Sequence, residues 1–203
     1  MLCDACLMLL YTGFKANETA RRVFFALGVD DFPIIEALMK ESGVSRHGVR
    51  EALSCFRGAG LVWGNGCAGL SDSGYRLMEL LRDANQSEPS EVLCDNCLLE
   101  ISELLPADGY KVLAQLSDRL AHSRHDLMMA TGISVNRLRD VLLTLQGAQL
   151  IQSGRGRVFR LSETGGHLER LLQNGRPGSH ARHPAALRLR SGQAWEPPLL
   201  NFG

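Results

Sequence analysis

The fold is decided by a stretch of sequence that occurs twice, as GVSRHGVREALSCFRGAGLV at Gly43–Val62 and as GISVNRLRDVLLTLQGAQLI at Gly132–Ile151. Seven of the twenty aligned positions are identical, and most of the others keep their apolar or polar character. A repeat of this length predicts an internal duplication, in which two copies of one structural unit lie 89 residues apart.

Each copy has the pattern of a capped helix followed by a hairpin. Each copy begins with a tight turn, which is followed by a serine, Ser45 or Ser134. A serine at this position is suited to cap the N-terminus of a helix. Apolar residues then recur at helical spacing and predict one buried face per helix: Val49, Ala52, Leu53 and Phe56, and Leu138, Val141, Leu142 and Leu145. Glycine-rich β-hairpins are predicted at 61–71 and 150–162, and a further helix ends each unit.

This order of short helix, turn, capped helix, hairpin and helix resembles the winged helix-turn-helix superfamily, especially the MarR-like bacterial transcriptional regulators. The resemblance implies a mainly α protein with small β-hairpin wings, built as two tandem winged helix-turn-helix domains. We predict the first domain over residues 1–87 and the second over 88–175, each with a leading helix, at 1–12 and 91–104. Residues 176–203 contain prolines and arginines without apolar periodicity, which predicts a disordered tail.

Composition excludes several classes of protein. The 22 basic and 22 acidic residues give a formal net charge of zero, so no general affinity for nucleic-acid phosphates is expected. Without a run of about 18 apolar residues or a basic secretory leader, we expect a cytoplasmic protein with no membrane partner. The motifs of P-loop, α/β-hydrolase, zinc-protease and dinucleotide-binding enzymes are absent, and we predict no catalysis.

The resemblance implies that the two capped helices are recognition helices, which read base edges in the DNA major groove. The candidate DNA-binding residues of the first copy are Arg46, Arg50 and Arg57, which lie along one flank of the helix, and His47 and Ser54, which face directly outward. In the second copy the same projection exposes Asn136, Arg139 and Gln146. We therefore predict double-stranded DNA as the partner, with the helices in neighbouring major grooves or within a homodimer on a palindrome. The alternative is that these arginines form only a solvated helix face.

The two hairpins differ in charge. The second hairpin carries Arg155, Arg157 and Arg160, at positions where the wing of a family member contacts phosphates or the minor groove. The first hairpin has no cation, and the second capped helix exposes the apolar Val135 and Leu143. These features favour an alternative function, a protein-interaction module similar to the bacterial segregation and condensation protein B.

Two Cys-x-x-Cys motifs, Cys3/Cys6 and Cys94/Cys97, are the sharpest chemical feature of the sequence. Four thiolates are the number that tetrahedral zinc or an iron–sulfur cluster requires, which predicts a metal or redox-sensing site. Two alternatives remain, a thiol redox switch and simple core packing, since thiols are small buried apolar groups. A shared site requires the leading helices to lie side by side with all four sulfurs within about 4 Å of a common centre, since metal–sulfur bonds are near 2.3 Å.

Overall fold

The computed structural model describes residues 1–28, 33–64, 68–82, 91–154 and 156–174. Within these residues the protein is mainly helical with two small antiparallel sheets, which confirms the predicted class of fold. Arg155 of the second hairpin and the predicted tail at 176–203 lie outside the described residues. We refer to residues 1–82 as the first half and to residues 91–174 as the second half.

The first half contains five helices and two short strands in the part that is described. In chain order these are α1 (Asp4–Lys15), α2 (Glu18–Ala26), α3 (Ile35–Ser42), α4 (Arg46–Gly58), β1 (Val62–Trp63), β2 (Gly69–Leu70) and α5 (Asp72–Arg82). The Asn17 side chain caps α2. Ser45 caps α4 by accepting the backbone N–H of Gly48, as the sequence predicts, whereas Ser134, its equivalent in the second copy, makes no cap hydrogen bond with its side chain. Gly43 ends α3 in the left-handed conformation, with φ of 65°.

The second half has five helices and three strands among its described residues. These are α6 (Asp95–Glu103), α7 (Ala107–Leu116), β3 (His122–Ser123), α8 (Arg124–Thr131), α9 (Val135–Gly147), β4 (Ile151–Ser153), β5 (Val158–Leu161) and α10 (Glu163–Asn174). Ser123 and Asp126 form a capping box at the start of α8, and Gly132 ends that helix with φ of 70°. The leading helices predicted at 1–12 and 91–104 begin three and four residues later, at Asp4 and Asp95. The first keeps its expected length of 12 residues, and the second is shorter, with 9 residues.

Both predicted hairpins are present. Strand β1 pairs with β2, with Val62 opposite Leu70, and β4 pairs with β5, with Ile151 opposite Leu161. Strand β3 adds to the other edge of β5 and gives the order β3-β5-β4. The sequence did not predict β3, because a strand of two residues is too short to show an alternating pattern.

One continuous cluster of buried apolar side chains extends through both halves. All eight residues of the two predicted apolar faces are buried, which confirms that each of these helices has one buried face. In the first half, Phe14, Phe24 and Phe56 meet with ring centroids 5.1 to 5.6 Å apart. No helix of the described ranges combines the length and apolar character needed to cross a membrane.

The most extensive contact between helices among the described residues joins α4 to α9. Their backbones touch, since a Cβ at Gly58 would lie 2.0 Å from the carbonyl oxygen of Thr144, and one at Gly147 would lie 2.0 Å from that of Cys55. The expectation that the leading helices lie side by side is wrong, because α1 and α6 meet at their N-terminal ends rather than along their lengths. The two capped helices join the halves instead.

Candidate metal centre

The two Cys-x-x-Cys motifs lie at the N-termini of α1 and α6. Cys3 and Cys94 are the N-cap residues, with extended backbones at φ −75°, ψ 156° and φ −69°, ψ 156°. Cys6 and Cys97 lie one turn further on and are only 1% and 3% exposed. Each helix therefore begins after the first cysteine of its motif, so Cys3 and Cys94 precede the helices, whereas Cys6 and Cys97 lie within them. Each motif presents one outer, exposed thiol and one inner, buried thiol.

The four thiols form a single cluster, which we call the four-cysteine cluster. Their Sγ atoms all lie within 4.8 Å of one another, and Cys3 Sγ is 3.7 Å from Cys97 Sγ. A tetrahedral ion with metal–sulfur bonds of about 2.3 Å holds its sulfurs about 3.8 Å apart. The residues present therefore suit one thiolate-bound metal ion, and Cys3, Cys6, Cys94 and Cys97 are the residues that would hold it.

Backbone N–H groups support the inner sulfurs across the boundary between the halves. The N–H of Cys3 donates to Cys97 Sγ at 3.3 Å, and the N–H of Cys94 donates to Cys6 Sγ at 3.4 Å. The contacts are reciprocal, since each outer cysteine holds the inner sulfur of the other half. Donors of this kind stabilise thiolates, and the positive ends of the α1 and α6 dipoles add to the effect.

The protonation of the thiols reflects their burial. Burial raises the pKa of Cys6 to about 11 and also raises the pKa of Cys97. Burial acts in the same direction on Cys94, but hydrogen bonds from the Cys97 backbone and from the neighbouring thiols outweigh it and lower the pKa of Cys94. Binding of a metal must displace the protons of the inner thiols, so metal affinity increases as the pH rises.

Ion pairs fix the helix ends that carry the cluster. Arg76 of α5 holds Asp4 through two hydrogen bonds of 2.9 and 2.7 Å, and this guanidinium lowers the pKa of the Asp4 carboxyl. His167 of α10 lies 3.0 Å from Asp95 at the equivalent place in the second half. The sequence analysis missed these pairs, although the signal was present: both the acids and their partners are separated by 91 residues.

The candidate DNA-binding residues of α4 lie in different surroundings. Arg46 and Arg50 are exposed, and Arg46 forms an ion pair of 2.9 Å with Glu36. Ser54 is half-buried. Arg57, predicted to lie along one flank of the helix, is also half-buried and donates from Nε to the carbonyl of Gly64 at 2.8 Å. Burial lowers the pKa of its guanidinium.

The structure brings candidate residues of the two capped helices into contact with each other. Arg139 Nη2 lies 2.9 Å from Glu51 Oε1 and 2.6 Å from His47 Nε2. Asn136 is exposed, and Gln146 is half-buried. Recognition helices in neighbouring major grooves are separated by about 34 Å. The predicted placement of α4 and α9 in neighbouring grooves is therefore corrected, because the two helices pack directly together.

Two of the three arginines predicted on the second hairpin, Arg157 and Arg160, are described and are exposed. Arg157 is exposed at the turn, with φ of 60°, and Arg160 is exposed on β5, where Nη2 donates to Gln152 at 3.2 Å. Of the two apolar residues predicted to be exposed on α9, Val135 is 53% exposed and Leu143 is half-buried.

Comparison with known proteins gives little further information. No protein-family model matches the chain, and no curated protein matches it. Among solved structures, the chain is similar to the DIP2311 protein of Corynebacterium diphtheriae, with 20% sequence identity and a TM-score of 0.30. The match covers 76% of this chain and 29% of that protein, so the chain spans less than a third of its length. A likeness of this size carries no argument about fold or function.

Proposed function

We propose that the four-cysteine cluster binds one zinc ion that joins the two halves of the protein. The observation that carries this proposal is the convergence of four Sγ atoms, two from each half, within 4.8 Å of one another. Four thiolates that can surround one ion tetrahedrally are a ligand set that suits zinc well. The reciprocal backbone N–H donors of Cys3 and Cys94 compensate the negative charge of such a site. We place the protein in the cytoplasm, where reducing conditions keep thiols available for metal.

A single ion suits the spacing better than an iron–sulfur cluster. In such a cluster the four cysteines are divided between two or four irons that are bridged by sulfide, so the sulfurs of cysteines on different irons lie further apart than around one ion. All six sulfur–sulfur distances at this site are within 4.8 Å, close to the separation of about 3.8 Å expected around one ion. With four protein ligands, zinc has no open position for water or substrate, so its role here is structural or regulatory rather than catalytic.

We further propose that the halves are tandem winged helix-turn-helix domains that arose by duplication. Two pairs of contacts support this proposal. The contact of the Cys3 N–H with Cys97 Sγ has its equivalent in the contact of the Cys94 N–H with Cys6 Sγ. The ion pair of Asp4 with Arg76 likewise has its equivalent in the pair of Asp95 with His167. The helix order around α3–α4 and α8–α9, each followed by a hairpin, also suits the winged-helix pattern.

On this basis the protein is a DNA-binding transcriptional regulator. Support comes from the exposed Arg46, Arg50 and Asn136 on the packed pair α4 and α9, and from Arg157 and Arg160 on the second hairpin. Because α4 and α9 pack against each other, one chain presents a single DNA-contact surface rather than two separate ones. A palindromic operator then requires a homodimer, in which the second copy supplies the half-site one helical turn away.

One observation favours the alternative, a protein-interaction module. Met129 of α8 and Val135 at the start of α9 are 69% and 53% exposed, which places apolar surface beside the candidate DNA-binding residues. The ion pairs of Arg46 with Glu36 and of Arg139 with Glu51 also reduce the charge available to phosphates. A protein partner with an apolar surface would suit these exposed side chains.

The metal proposal is tested by the metal content of protein purified anaerobically without added metal. We expect one zinc per chain in the native protein and its loss in Cys3→Ser or Cys97→Ser, because three thiolates bind more weakly than four. Cys55→Ser is the matched control, since Cys55 lies outside the cluster, and should keep its zinc. Native protein that binds no zinc in the presence of a thiol reductant contradicts the proposal.

The DNA proposal is tested by the salt dependence of duplex binding. Replacing Arg155 and Arg157 by alanine removes two phosphate contacts, and we expect uniformly weaker binding with the slope of log K against log salt reduced by about two. Arg50→Ala should alter sequence preference instead. Arg21→Ala/Arg82→Ala removes the same charge elsewhere and serves as the control. Unchanged duplex binding by the hairpin variant at every salt concentration supports the interaction module.

A further inference from the structure

We propose that peroxide converts the four-cysteine cluster into two disulfide bonds, Cys3–Cys97 and Cys6–Cys94, which keep the halves joined when the metal leaves. The release of zinc in this proposal rests on the proposed metal centre, whereas the disulfide pairing rests only on the positions of the sulfurs. The outer thiols, Cys3 and Cys94, are exposed and open to a small oxidant, and the inner thiols are buried.

The pairing follows from which sulfurs are neighbours. Cys3 Sγ is 3.7 Å from Cys97 Sγ, and the backbone N–H of Cys3 also contacts that sulfur. The N–H of Cys94 contacts Cys6 Sγ in the same way. Each outer thiol therefore has, beside it, an inner thiol of the other half that is placed to resolve its oxidised form.

The chemistry requires two molecules of hydrogen peroxide. An outer thiolate attacks one peroxide oxygen, the O–O bond breaks, and a sulfenic acid forms with release of hydroxide. The adjacent inner thiolate then attacks the sulfenic sulfur, the S–S bond forms and a second hydroxide leaves. Each peroxide thus removes two electrons from one pair of thiolates. After two such reactions no thiolate remains, and zinc departs as Zn²⁺ with its oxidation state unchanged.

The consequence for the fold depends on which cysteines the disulfides join. Disulfides within a motif, Cys3–Cys6 and Cys94–Cys97, would link residues of one helix turn and leave the halves unconnected at this place. The proposed disulfides connect the N-terminus of α1 to that of α6, where the metal would otherwise join them. Oxidised, metal-free protein should therefore keep the thermal stability of the zinc-bound form, whereas reduced, metal-free protein should lose it.

The pairing is tested by peptide mapping in a background of Cys55→Ser and Cys67→Ser, which leaves only the cluster cysteines. After treatment with peroxide and blocking of free thiols, trypsin releases residues 1–15 and 83–111, each with one motif. We expect a cross-linked species of these two peptides that lacks four hydrogens and separates on reduction. Two unlinked peptides, each lacking two hydrogens, would overturn the proposal, as would sulfinic or sulfonic acids as the main products.

Two further variants of that background assign the partners. Cys6→Ser/Cys94→Ser keeps Cys3 and Cys97, and we expect its cross-link to form at least tenfold faster than in Cys6→Ser/Cys97→Ser, which keeps the two outer thiols. Equal rates would overturn the assigned pairing. Zinc content of the reduced protein is measured separately. Cross-linking without zinc binding refutes only the metal proposal, and zinc binding with disulfides inside each motif refutes only this inference.

Discussion

At the scale of single residues, metal binding at the four-cysteine cluster would bring four negatively charged thiolates close together. A zinc ion with four thiolates keeps a net charge of −2, which is costly beside the buried apolar residues that flank the site, such as Leu2 and Leu93. The backbone donors of Cys3 and Cys94 and the two helix N-termini compensate this charge. Asp4 and Asp95 add negative charge nearby, but each has its own cationic or protonatable partner.

The predictability of these residues from the sequence was uneven. Four cysteines in two identical motifs indicated a shared site, because the number and spacing of metal ligands are visible in sequence. The reciprocal donors were not predictable, since the contact of Cys3 with Cys97 depends on how α1 meets α6. The same limit applies to Arg139, which was predicted to face DNA but contacts Glu51 and His47 of the other half.

One prediction at this scale concerns pH and Asp108, which connects α7 to α9. Arg137 Nε donates to its carboxylate at 3.0 Å, and this bond, followed by that of Lys111, lowers the pKa of Asp108. A lowered pKa in the folded state contributes stability above the unfolded-state pKa of about 3.9, and this contribution disappears as the pH falls through the folded-state value. We expect Arg137→Gln to reduce the free energy of unfolding at pH 7 by at most about 1 kcal/mol, because the pair is partly exposed.

Urea unfolding from pH 7 down to pH 3 measures the effect of Arg137→Gln. The difference from the native protein should shrink as the pH falls below about 4. Arg170→Gln is the control, since no ion pair of Arg170 is seen in the described ranges, and it should change stability little at any pH. A difference for Arg137→Gln that is independent of pH would show that the pair with Asp108 is not its cause.

At the scale of elements, the crossing of α4 and α9 determines how the halves meet. Helices approach this closely only where small residues remove the side-chain layer, and Gly58 and Gly147 do so at equivalent places. Glycine occurs at this position in both copies of the repeat, and each glycine is the last residue of its helix, where glycine is common. The second role of these glycines was not predictable, because a local pattern does not show which helix lies opposite.

The crossing gives a direct prediction. Gly58→Ala and Gly147→Ala each place a methyl group 2.0 Å from a backbone carbonyl oxygen, so the helices must move apart. We expect each variant to lose about 1–3 kcal/mol of stability, the usual cost of overpacking, or more because backbone is the obstacle. Chemical denaturation measures the loss, and the double variant should lose less than the sum of the two, since one displacement relieves both contacts.

Gly109→Ala is the matched control for the crossing. Gly109 is also helical, but a Cβ there would be 3.6 Å or more from its neighbours, an ordinary contact. Alanine is favoured over glycine in helices by up to about 1 kcal/mol, so this variant should be as stable as the native protein or more stable. If Gly58→Ala and Gly147→Ala behave like Gly109→Ala, the close approach of α4 and α9 is wrong.

At the scale of the whole molecule, several separate contacts join the halves among the described residues. They include the four-cysteine cluster, the crossing of α4 and α9, the bond from Gln149 Nε2 to the carbonyl of Leu9 at 2.7 Å, and the ion pair of the Met1 amino group with Glu100 at 2.7 Å. The repeat predicted the elements of both halves well, because capping residues, apolar periodicity and turn glycines are local. The arrangement of the halves was predicted only in part, because it depends on contacts between residues some 90 positions apart.

Removal of metal should therefore weaken the molecule as a whole. Metal that binds only the folded state at a free concentration of 1,000 times its dissociation constant contributes about 4 kcal/mol, or about 10 °C in Tm for a chain of this size. We expect chelation of zinc under reducing conditions to lower the Tm of native protein by this amount and to leave Cys3→Ser unchanged. A native Tm that is insensitive to chelation, in protein shown to have lost its zinc, would contradict a joining role for the metal.

The central claim is that one ion is bound by four thiolates, two from each half, and X-ray absorption at the zinc edge tests it most directly. The zinc-bound protein should show four sulfur neighbours at about 2.3 Å and no nitrogen or oxygen in the first shell. Cys55→Ser should give the same spectrum. A first shell with fewer than four sulfurs in the native protein, or one containing imidazole or water, would contradict the claim.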